Sequence, residues 1–478
     1  AILLGIISFM ATMTFAQGWE VPKITPEDYA DVKLSSEAAG DTTFYYLYNI
    51  EGDGFLTNGR ADTHTGQTWN THAVLNSTGH RLFVAKYELK DETGTITKEW
   101  DGKSVYIINW HSDSWQKVFA VDELRMYVDY ANQEDAYPAW EMIKEDGNIY
   151  KFKVSESNTA EFTTEMKALK DYSYLGFNIY DEDWTDSQRK ALTPMIDVLS
   201  DEKITDACIT WAFIPEAIYD AYQTAVTNYN SAVKLGEYIA SVKENYPEVS
   251  VSAAENVYNN TASTAEQLDA ANKQLQEDVY NYRIGTELVG ASNSNPKDAT
   301  SFMTNPDFET GDATGWTVDV GSTSASGYQG DSYQNGEVTI SNFIQAWRPT
   351  YNVDANKLGD GSIYTTVKNM PAGKYKIACD AIAVFQKAGA PMVTGVYMYV
   401  KSGESVNVRR EVATEDQMPQ HYEITFAINE QADIEIGLLA ESTTASWIAA
   451  DNFKLTYYGE VSDPNQPVLE GLVEQYEG

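Results

Sequence analysis

Two acidic side chains stand at the two ends of a long alternating segment, each within a short motif. The first motif is Asn-Pro-Asp-Phe-Glu over 305–309, and the second is Ala-Asp-Asn-Phe-Lys-Leu over 450–455. Because the two ends of a β-sandwich commonly run side by side, we expect Glu309 and Asp451 to meet. Their carboxylate oxygens could then form one oxygen-rich metal site. The competing interpretation is that both carboxylates only cap turns.

Four aromatic residues in the same segment could bind a sugar. A flat ring stacks on the apolar face of a pyranose, while polar neighbours satisfy the hydroxyl groups. Trp347 precedes Arg-Pro in a loop-like stretch, Trp447 stands beside the closing motif, and Tyr328 and Tyr333 flank a glycine-containing loop. These four residues are predicted to bind ligand, with burial in a core as the alternative for each.

Signatures of catalysis are missing from the sequence. It has no Gly-x-Ser-x-Gly motif, no P-loop and no Gly-x-Gly-x-x-Gly after a strand. The 71 acidic residues would supply a plausible carboxylate pair by chance, so such a pair predicts nothing. The five histidines form no metal-binding cluster, and Cys208 and Cys379 are predicted to be buried free thiols. The chain is therefore predicted not to be an enzyme.

The charge balance excludes one class of partner. Lys and Arg number 33 against 71 Asp and Glu, giving a net charge of −38. Nucleic-acid affinity depends on cationic side chains that neutralise phosphates, so nucleic acid is a poor partner. Neutral glycans and Ca²⁺ remain compatible, and no apolar run is long enough to predict a transmembrane helix.

The amino-terminal stretch resembles an export signal. Residues 1–16 are apolar and end in Thr14-Phe15-Ala16, which has small residues at the −3 and −1 positions. This pattern predicts a signal peptide with Gln17 as the mature start, and hence a secreted or cell-surface protein. Residues 17–42 are acidic and contain proline, which predicts an extended lead-in.

The elements that must position these residues fall into three modules. Residues 43–214 carry short strands split by Gly, Asp and Asn turns, which indicates an all-β barrel or trefoil. Residues 215–285 carry apolar residues at helical spacing and fit three helices, the second one short. Residues 286–302 have a linker composition, the alternating pattern runs over 303–459, and 460–478 is an acidic linker.

Three resemblances refine these modules. Ile-Thr-Trp-Ala-Phe at 209–213 resembles the strand ends of ricin-B-like β-trefoils, although the family's Gln is absent and no sugar site carries over. Ser-Thr-Ala-Glu-Gln-Leu at 263–268 resembles FIVAR-type three-helix modules of bacterial surface proteins, which act as spacers. The segment 303–459 resembles the galactose-binding-like β-sandwich, or jelly roll, of carbohydrate-binding modules secreted by gut Bacteroidetes. In similar sandwiches the early Glu and late Asp help to hold Ca²⁺, which implies that role for Glu309 and Asp451.

The sequence thus predicts a multidomain, mainly β protein that binds glycans or polysaccharide without catalysis. Two alternatives stay open: a structural or adhesive surface protein that binds other proteins, and the accessory region of a larger carbohydrate-active enzyme.

Overall fold

A computed structural model describes most of the chain: residues 18–35, 42–62, 67–111, 114–120, 126–129, 136–159, 174–178, 195–199, 208–350, 356–404, 406–414 and 418–461. Two compact units share these residues. The first holds the described residues up to Glu237 together with Asn256–Asp269, and the second holds Tyr238–Glu255 and the residues from Ala270 onward. The predicted signal peptide and nearly all of the predicted acidic linker at 460–478 lie outside the described residues.

Short strands dominate the first unit. They are β1 Leu34–Ser35, β2 Tyr45–Asn49, β3 Gly54–Asp62, β4 Gln67–Asn76, β5 Leu82–Lys86, β6 Leu89–Lys90, β7 Ile96–Lys98, β8 Ser104–His111, β9 Ser114–Ala120, β10 Met126–Asp129, β11 Trp140–Glu145, β12 Ile149–Val154, β13 Tyr174–Asn178, β14 Met195–Leu199 and β15 Trp211–Pro215. Strands β2, β5, β8, β11, β12 and β15 pair in that order, and β15 pairs back to β2, which closes a six-stranded barrel. The hairpins β3–β4, β9–β10 and β13–β14 pair with one another through β4 and cap the barrel.

The all-β barrel predicted for this part of the chain is confirmed, and its assignment to a β-trefoil stays a prediction. We call each hairpin with its two barrel strands a lobe. Buried aromatic residues fill the barrel because alternate side chains of each strand point inward. Two tryptophans hold equivalent places in two of the three lobes. The Trp140 indole donates to the carbonyl of Val118 at 2.9 Å, and the Trp211 indole donates to the carbonyl of Leu175 at 2.9 Å. Leu82 begins the equivalent strand of the remaining lobe, opposite Asn109.

The lead-in predicted for 17–42 is part of the first unit. Residues Pro26–Asp28 form a 3₁₀ turn, Ala30 pairs with Phe213, and β1 pairs in parallel with β5. Asp31 accepts hydrogen bonds from the Tyr150 hydroxyl at 2.9 Å and from Lys144. The acidic, proline-containing composition gave no sign of these contacts because their partners are distant in sequence, from 50 residues for β1 with β5 to 183 residues for Ala30 with Phe213.

Three helices follow the barrel, as predicted: α1 Glu216–Asn245, α2 Ser252–Tyr258 and α3 Ala265–Glu287. Within the first unit, the Asn228 side chain accepts a hydrogen bond from the backbone of Ala265 at 2.7 Å. A Cβ at Gly236 would lie 2.8 Å from the Tyr258 ring, so this close approach needs glycine. No helix among the described residues is long and apolar enough to cross a membrane.

The second unit holds a sandwich of two antiparallel sheets. Its strands are β16 Lys297–Asp298, β17 Thr317–Val320, β18 Ala325–Asn335, β19 Val338–Trp347, β20 Gly361–Met370, β21 Gly373–Val384, β22 Val396–Ser402, β23 Val406–Glu411, β24 Gln420–Ile428, β25 Ala432–Ala440 and β26 Trp447–Tyr457. The six-stranded sheet has the order β18-β19-β26-β21-β24, with β16 beside β26, and the five-stranded sheet has the order β17-β20-β25-β22-β23. The β-sandwich predicted for 303–459 is confirmed.

The boundary of the sandwich differs from the prediction. Residues 286–302 were expected to be a linker, yet β16 pairs with β26, and Leu288, Ala299 and Phe302 belong to the core between the sheets. Three apolar residues scattered among Gly, Ser and Asn gave no periodicity to detect. Both cysteines are free and buried, as predicted, and burial raises the pKa of the Cys379 thiol.

Candidate functional site

The two terminal motifs of the sandwich lie side by side, as predicted. The backbone N–H of Phe453 donates to the carbonyl of Pro306 at 2.9 Å. Both carboxylates also contact neighbouring residues of β19. Glu309 Oε1 accepts a hydrogen bond from the Asn342 side chain at 3.2 Å, and Asp451 Oδ2 accepts one from the backbone of Ser341 at 2.9 Å. The fold therefore brings Glu309 and Asp451 to the same short stretch of one strand.

Asp451 has an unusual electrostatic environment. Its side chain is buried, and this burial raises its pKa to about 7. The carboxylates of Asp380 and Asp307 act in the same direction, because like charges disfavour ionisation. Backbone N–H groups of Ser341 and Asn452 donate to the two carboxylate oxygens and oppose the shift. A nearby cation would favour the ionised form of Asp451.

The donor set limits what kind of metal site could exist here. Within the described ranges, no three His, Cys, Asp or Glu side chains are close enough to hold a metal ion. A calcium site around Glu309 and Asp451 would therefore need backbone carbonyls for most of its ligands. One further oxygen could serve as a metal ligand. The side-chain Oδ1 of Asn305, in the opening motif, is buried without a hydrogen-bond partner among the described residues. These features fit a hard cation with mixed oxygen ligands.

The six-stranded sheet has a second apolar surface on the side opposite the core. Successive side chains of a strand point to opposite faces. Ile344, Ile448 and Ala381 face the core between the sheets, whereas their neighbours form a separate cluster. We call this side the outer face, and its cluster consists of Ile340, Phe343, Ile382, Val384, Trp447 and Ala449.

A strap of residues 332–341 covers much of the outer face. The hairpin β18–β19 changes register between Gln329 and Ser332, and Asn342 has a positive φ of 56°, so the distal half of the hairpin leaves the sheet. The Tyr333 ring lies 5.0 Å from the Trp447 ring, measured between centroids. The Asn335 side chain donates to the carbonyl of Pro419 at 3.2 Å, beside β24 at the far edge of the sheet.

Three of the four predicted aromatic residues are wholly or partly withdrawn from the surface. Trp447 is only 2 % exposed, so its predicted role as a surface platform is wrong in this conformation. Tyr333 is half-buried because its ring packs on Trp447 and Phe343. Tyr328 is also half-buried, but it packs against the core between the sheets, and its hydroxyl donates to Asn342 at 2.8 Å. These rings therefore do not form one continuous binding surface.

Trp347 remains accessible at the uncovered end of the outer face. Its ring is half-buried, and its indole N–H donates to the side-chain oxygen of Gln386. Gln345, two residues earlier on the same face, accepts a hydrogen bond from the Trp447 indole at 2.8 Å. The Gln345 amide nitrogen then donates to Gln329 at 3.4 Å. We call Trp347, Gln345 and Gln386 the Trp347 patch.

The sequence reasoning missed both glutamines of this patch. A usable signal existed for Gln345, because Phe-Ile-Gln-Ala-Trp at 343–347 places Phe343, Gln345 and Trp347 on one face of a strand. Gln386 follows the end of β21, and its proximity to Trp347 depends on how the strands pair.

A charged network occupies the outward side of the sheet's β21–β24 edge. His421 Nδ1 and Asp380 Oδ1 are 2.8 Å apart, and Asp380 also accepts a hydrogen bond from Asn452 at 3.0 Å. Lys376 pairs with Glu423 at 2.9 Å. These contacts join neighbouring strands, which indicates a structural role for the network.

Comparisons with known proteins give structural matches only. No family model and no curated protein matches this chain. A family 61 carbohydrate-binding module in complex with β-1,4-galactotriose is 21 % identical, with 32 % of this chain and 96 % of that chain covered and a TM-score of 0.25. The CBM22-1 xylan-binding domain of Paenibacillus barcinonensis Xyn10C is 14 % identical, with coverages of 32 % and 93 % and a TM-score of 0.23. A Stig cyclase from Fischerella sp. TAU is 17 % identical, with coverages of 33 % and 97 % and a TM-score of 0.26.

Proposed function

We propose that this chain is an exported, non-catalytic glycan-binding protein and that the Trp347 patch binds the sugar. The observation that carries the proposal is the half-buried Trp347 ring beside the half-buried Gln386 side chain. An aromatic ring offers a flat apolar surface to a sugar, and the amide nitrogen of Gln386 offers donors to its hydroxyl groups. Gln345 is nearly buried and bonds to Trp447 and Gln329, so its role in the patch is structural.

The chemistry of the patch supports binding without turnover. Neither an indole nor a side-chain amide titrates near neutral pH, so neither can act as a general acid or base. Glycoside hydrolysis uses a pair of carboxyl groups around the scissile bond. Asp380 and His421, which lie on the outward side of the same sheet, are bonded to each other.

Charge and export narrow the ligand class. A net charge of −38 repels anionic polymers at long range, which favours neutral glycans. Export is proposed from the apolar run and small residues at 1–16, and it would place the patch where extracellular polysaccharides occur.

A glycan array probed with the full chain tests the proposal. We expect specific binding to neutral glycans, and we expect Trp347→Ala to weaken the best interaction at least about tenfold because the stacking surface is lost. Gln386→Ala should weaken binding less, because one hydrogen-bonding group is removed and the ring remains.

Tyr397→Ala is the matched control. Tyr397 is also a half-buried aromatic on an outward-facing strand surface, but it lies on the five-stranded sheet, with Arg409 5.8 Å from its ring. Equal loss of binding in Tyr397→Ala and Trp347→Ala would reject the Trp347 patch. A folded chain that ignores every glycan on the array would reject the proposed function and favour a protein-binding surface protein.

We also propose a structural Ca²⁺ held by Glu309 and Asp451 together with loop carbonyls. Ion binding to the folded state alone stabilises it by about 2.7 kcal/mol at a free concentration one hundred times the Kd. Ca²⁺ should therefore raise the melting temperature of the chelator-treated full chain, and Asp451→Ala should abolish the increase. The matched control is Asp319→Ala, an acidic residue on β17 of the other sheet. An equal response to Ca²⁺ in wild type and Asp451→Ala would contradict the site.

A further inference from the structure

We infer that the Trp347 patch binds the end of a glycan chain and not an internal stretch of a polysaccharide. This inference rests on the proposed function and adds a specificity to it. Its basis is the strap of residues 332–341, which closes the outer face beyond the patch.

The accessible part of the outer face is short. From Trp347 to Phe343 the strand covers four residues, which is about 14 Å at about 3.4 Å per residue. Only the first half of that distance is accessible: Trp347 is half-buried and Gln345 is 8 % exposed, whereas Phe343 is completely buried. A polysaccharide lying along the sheet would have to pass over Phe343 and Ile382, and neither side chain reaches the surface.

The strap is held closed at both ends and along its length. The Asn335 side chain donates to the carbonyl of Pro419, and the Asn452 side chain donates to the carbonyl of Thr339 at 2.8 Å. The backbone of Ser341 donates to Asp451. Opening the strap would also expose Ile340 and the ring of Trp447 to water. This exposure costs free energy, because apolar surface is more stable when it is buried. The closed form therefore defines the site that a ligand meets.

A chain end also matches the polar groups of the patch. A terminal sugar keeps a hydroxyl group that an internal sugar uses in its glycosidic bond, so it presents one more hydrogen-bonding group. Gln386 accepts a hydrogen bond from the Trp347 indole, so its amide lies beside the ring on which a terminal sugar would stack. The strap then excludes the sugars that would continue the chain along the sheet.

The test is a ladder of oligosaccharides titrated into the full chain by calorimetry. The probes are β-1,4-linked galactose, xylose and glucose series, from monosaccharide to hexasaccharide. We expect affinity within the bound series to change less than about twofold from disaccharide to hexasaccharide. An increase of about tenfold or more with length would overturn end recognition. If Trp347→Ala abolishes that length-dependent binding, the proposed function survives and only the inference of end recognition fails. If no glycan binds at all, both the proposed function and the inference fail.

A strap variant tests the cause. The double substitution Asn335→Ala with Asn452→Gly removes two anchors, and glycine keeps the positive φ of 54° at position 452. We expect the hexasaccharide to gain affinity over the disaccharide by at least about fivefold in this variant. The control is Gln334→Ala, because the Gln334 side chain donates to the carbonyl of Gly336 within the hairpin itself. If the folded double variant keeps the wild-type ratio of hexasaccharide to disaccharide affinity, the strap does not determine end recognition. If that variant does not fold, the oligosaccharide series measured with wild type still decides whether the chain end is recognised.

Discussion

Trp347 and Trp447 show how position decides what a side chain does. The two residues are paired opposite each other on β19 and β26. Trp347 keeps an accessible ring, whereas the ring of Trp447 lies beneath Tyr333 and is 2 % exposed. Their residue types and local sequences support the same prediction for both. What separates them is a contact with a strap more than a hundred residues from Trp447 in sequence.

This difference predicts unequal losses of stability when each ring is removed. Trp447→Ala should destabilise the second unit by about 3–5 kcal/mol, because a large buried ring is replaced by a cavity. Trp347→Ala should cost less than about 1.5 kcal/mol, since water already reaches part of the ring. Chemical denaturation of the full chain measures both values, and equal costs would contradict the burial described above.

The raised pKa of Asp451 predicts a pH dependence of the metal-free protein. Because its pKa is about 7 in the folded state and ordinary in the unfolded state, the folded state binds the extra proton between about pH 4 and 7. Stability from this group is therefore greatest at low pH and falls as pH rises towards about 7. Burial and the carboxylates of Asp380 and Asp307 cause the shift.

The measurement is the difference between wild type and Asp451→Asn, unfolded with chelator from pH 5 to 8. Wild type should lose about 3 kcal/mol relative to the variant across this range. The subtraction removes the contributions of the other titrating groups. A difference that stays constant with pH would contradict the shift.

At the scale of elements, two lobes of the barrel contain the same tryptophan hydrogen bond. Trp140 and Trp211 each begin a barrel strand and donate an indole hydrogen bond to a capping hairpin. Trp211 was recognisable from Ile-Thr-Trp-Ala-Phe, whereas Trp140 stands in Pro-Ala-Trp-Glu and gave no such signal. The lobe with Leu82 lacks the indole, which explains why the internal repeat is blurred in the sequence.

Removing either indole should therefore weaken the same barrel to a similar extent. Trp140→Ala and Trp211→Ala are each expected to cost about 3–5 kcal/mol, because both rings are completely buried. Leu82→Ala should cost about 2–5 kcal/mol, with no indole hydrogen bond to lose. Urea titration of the full chain compares the three variants, and a negligible effect of Trp140→Ala would contradict the equivalence of the lobes.

Some elements follow from local sequence and others do not. The three helices were predictable from apolar spacing, and Thr264 with Gln267 caps the start of α3. Ser263 is buried and donates to the carbonyl of Val257. The adjacency of the two sandwich motifs was also predictable from the sequence. The path of the strap was not, because it depends on a register change and on hydrogen bonds to distant strands.

At the scale of the whole molecule, the two compact units predict two unfolding events. Each unit has its own apolar core, and such units commonly unfold separately. Calorimetry of the full chain should show two transitions, with Trp211→Ala lowering one and Trp447→Ala lowering the other. A single transition lowered by both substitutions would show that the chain unfolds as one cooperative unit.

The central claim is that sugar binds at the Trp347 patch, and a crystal structure of the full chain with its tightest-binding glycan tests it most directly. The account predicts a terminal sugar ring stacked on Trp347, with a hydroxyl group bonded to Gln386 and with the strap still closed. A sugar bound in the barrel of the first unit, or one lying along the outer face under an open strap, would contradict it.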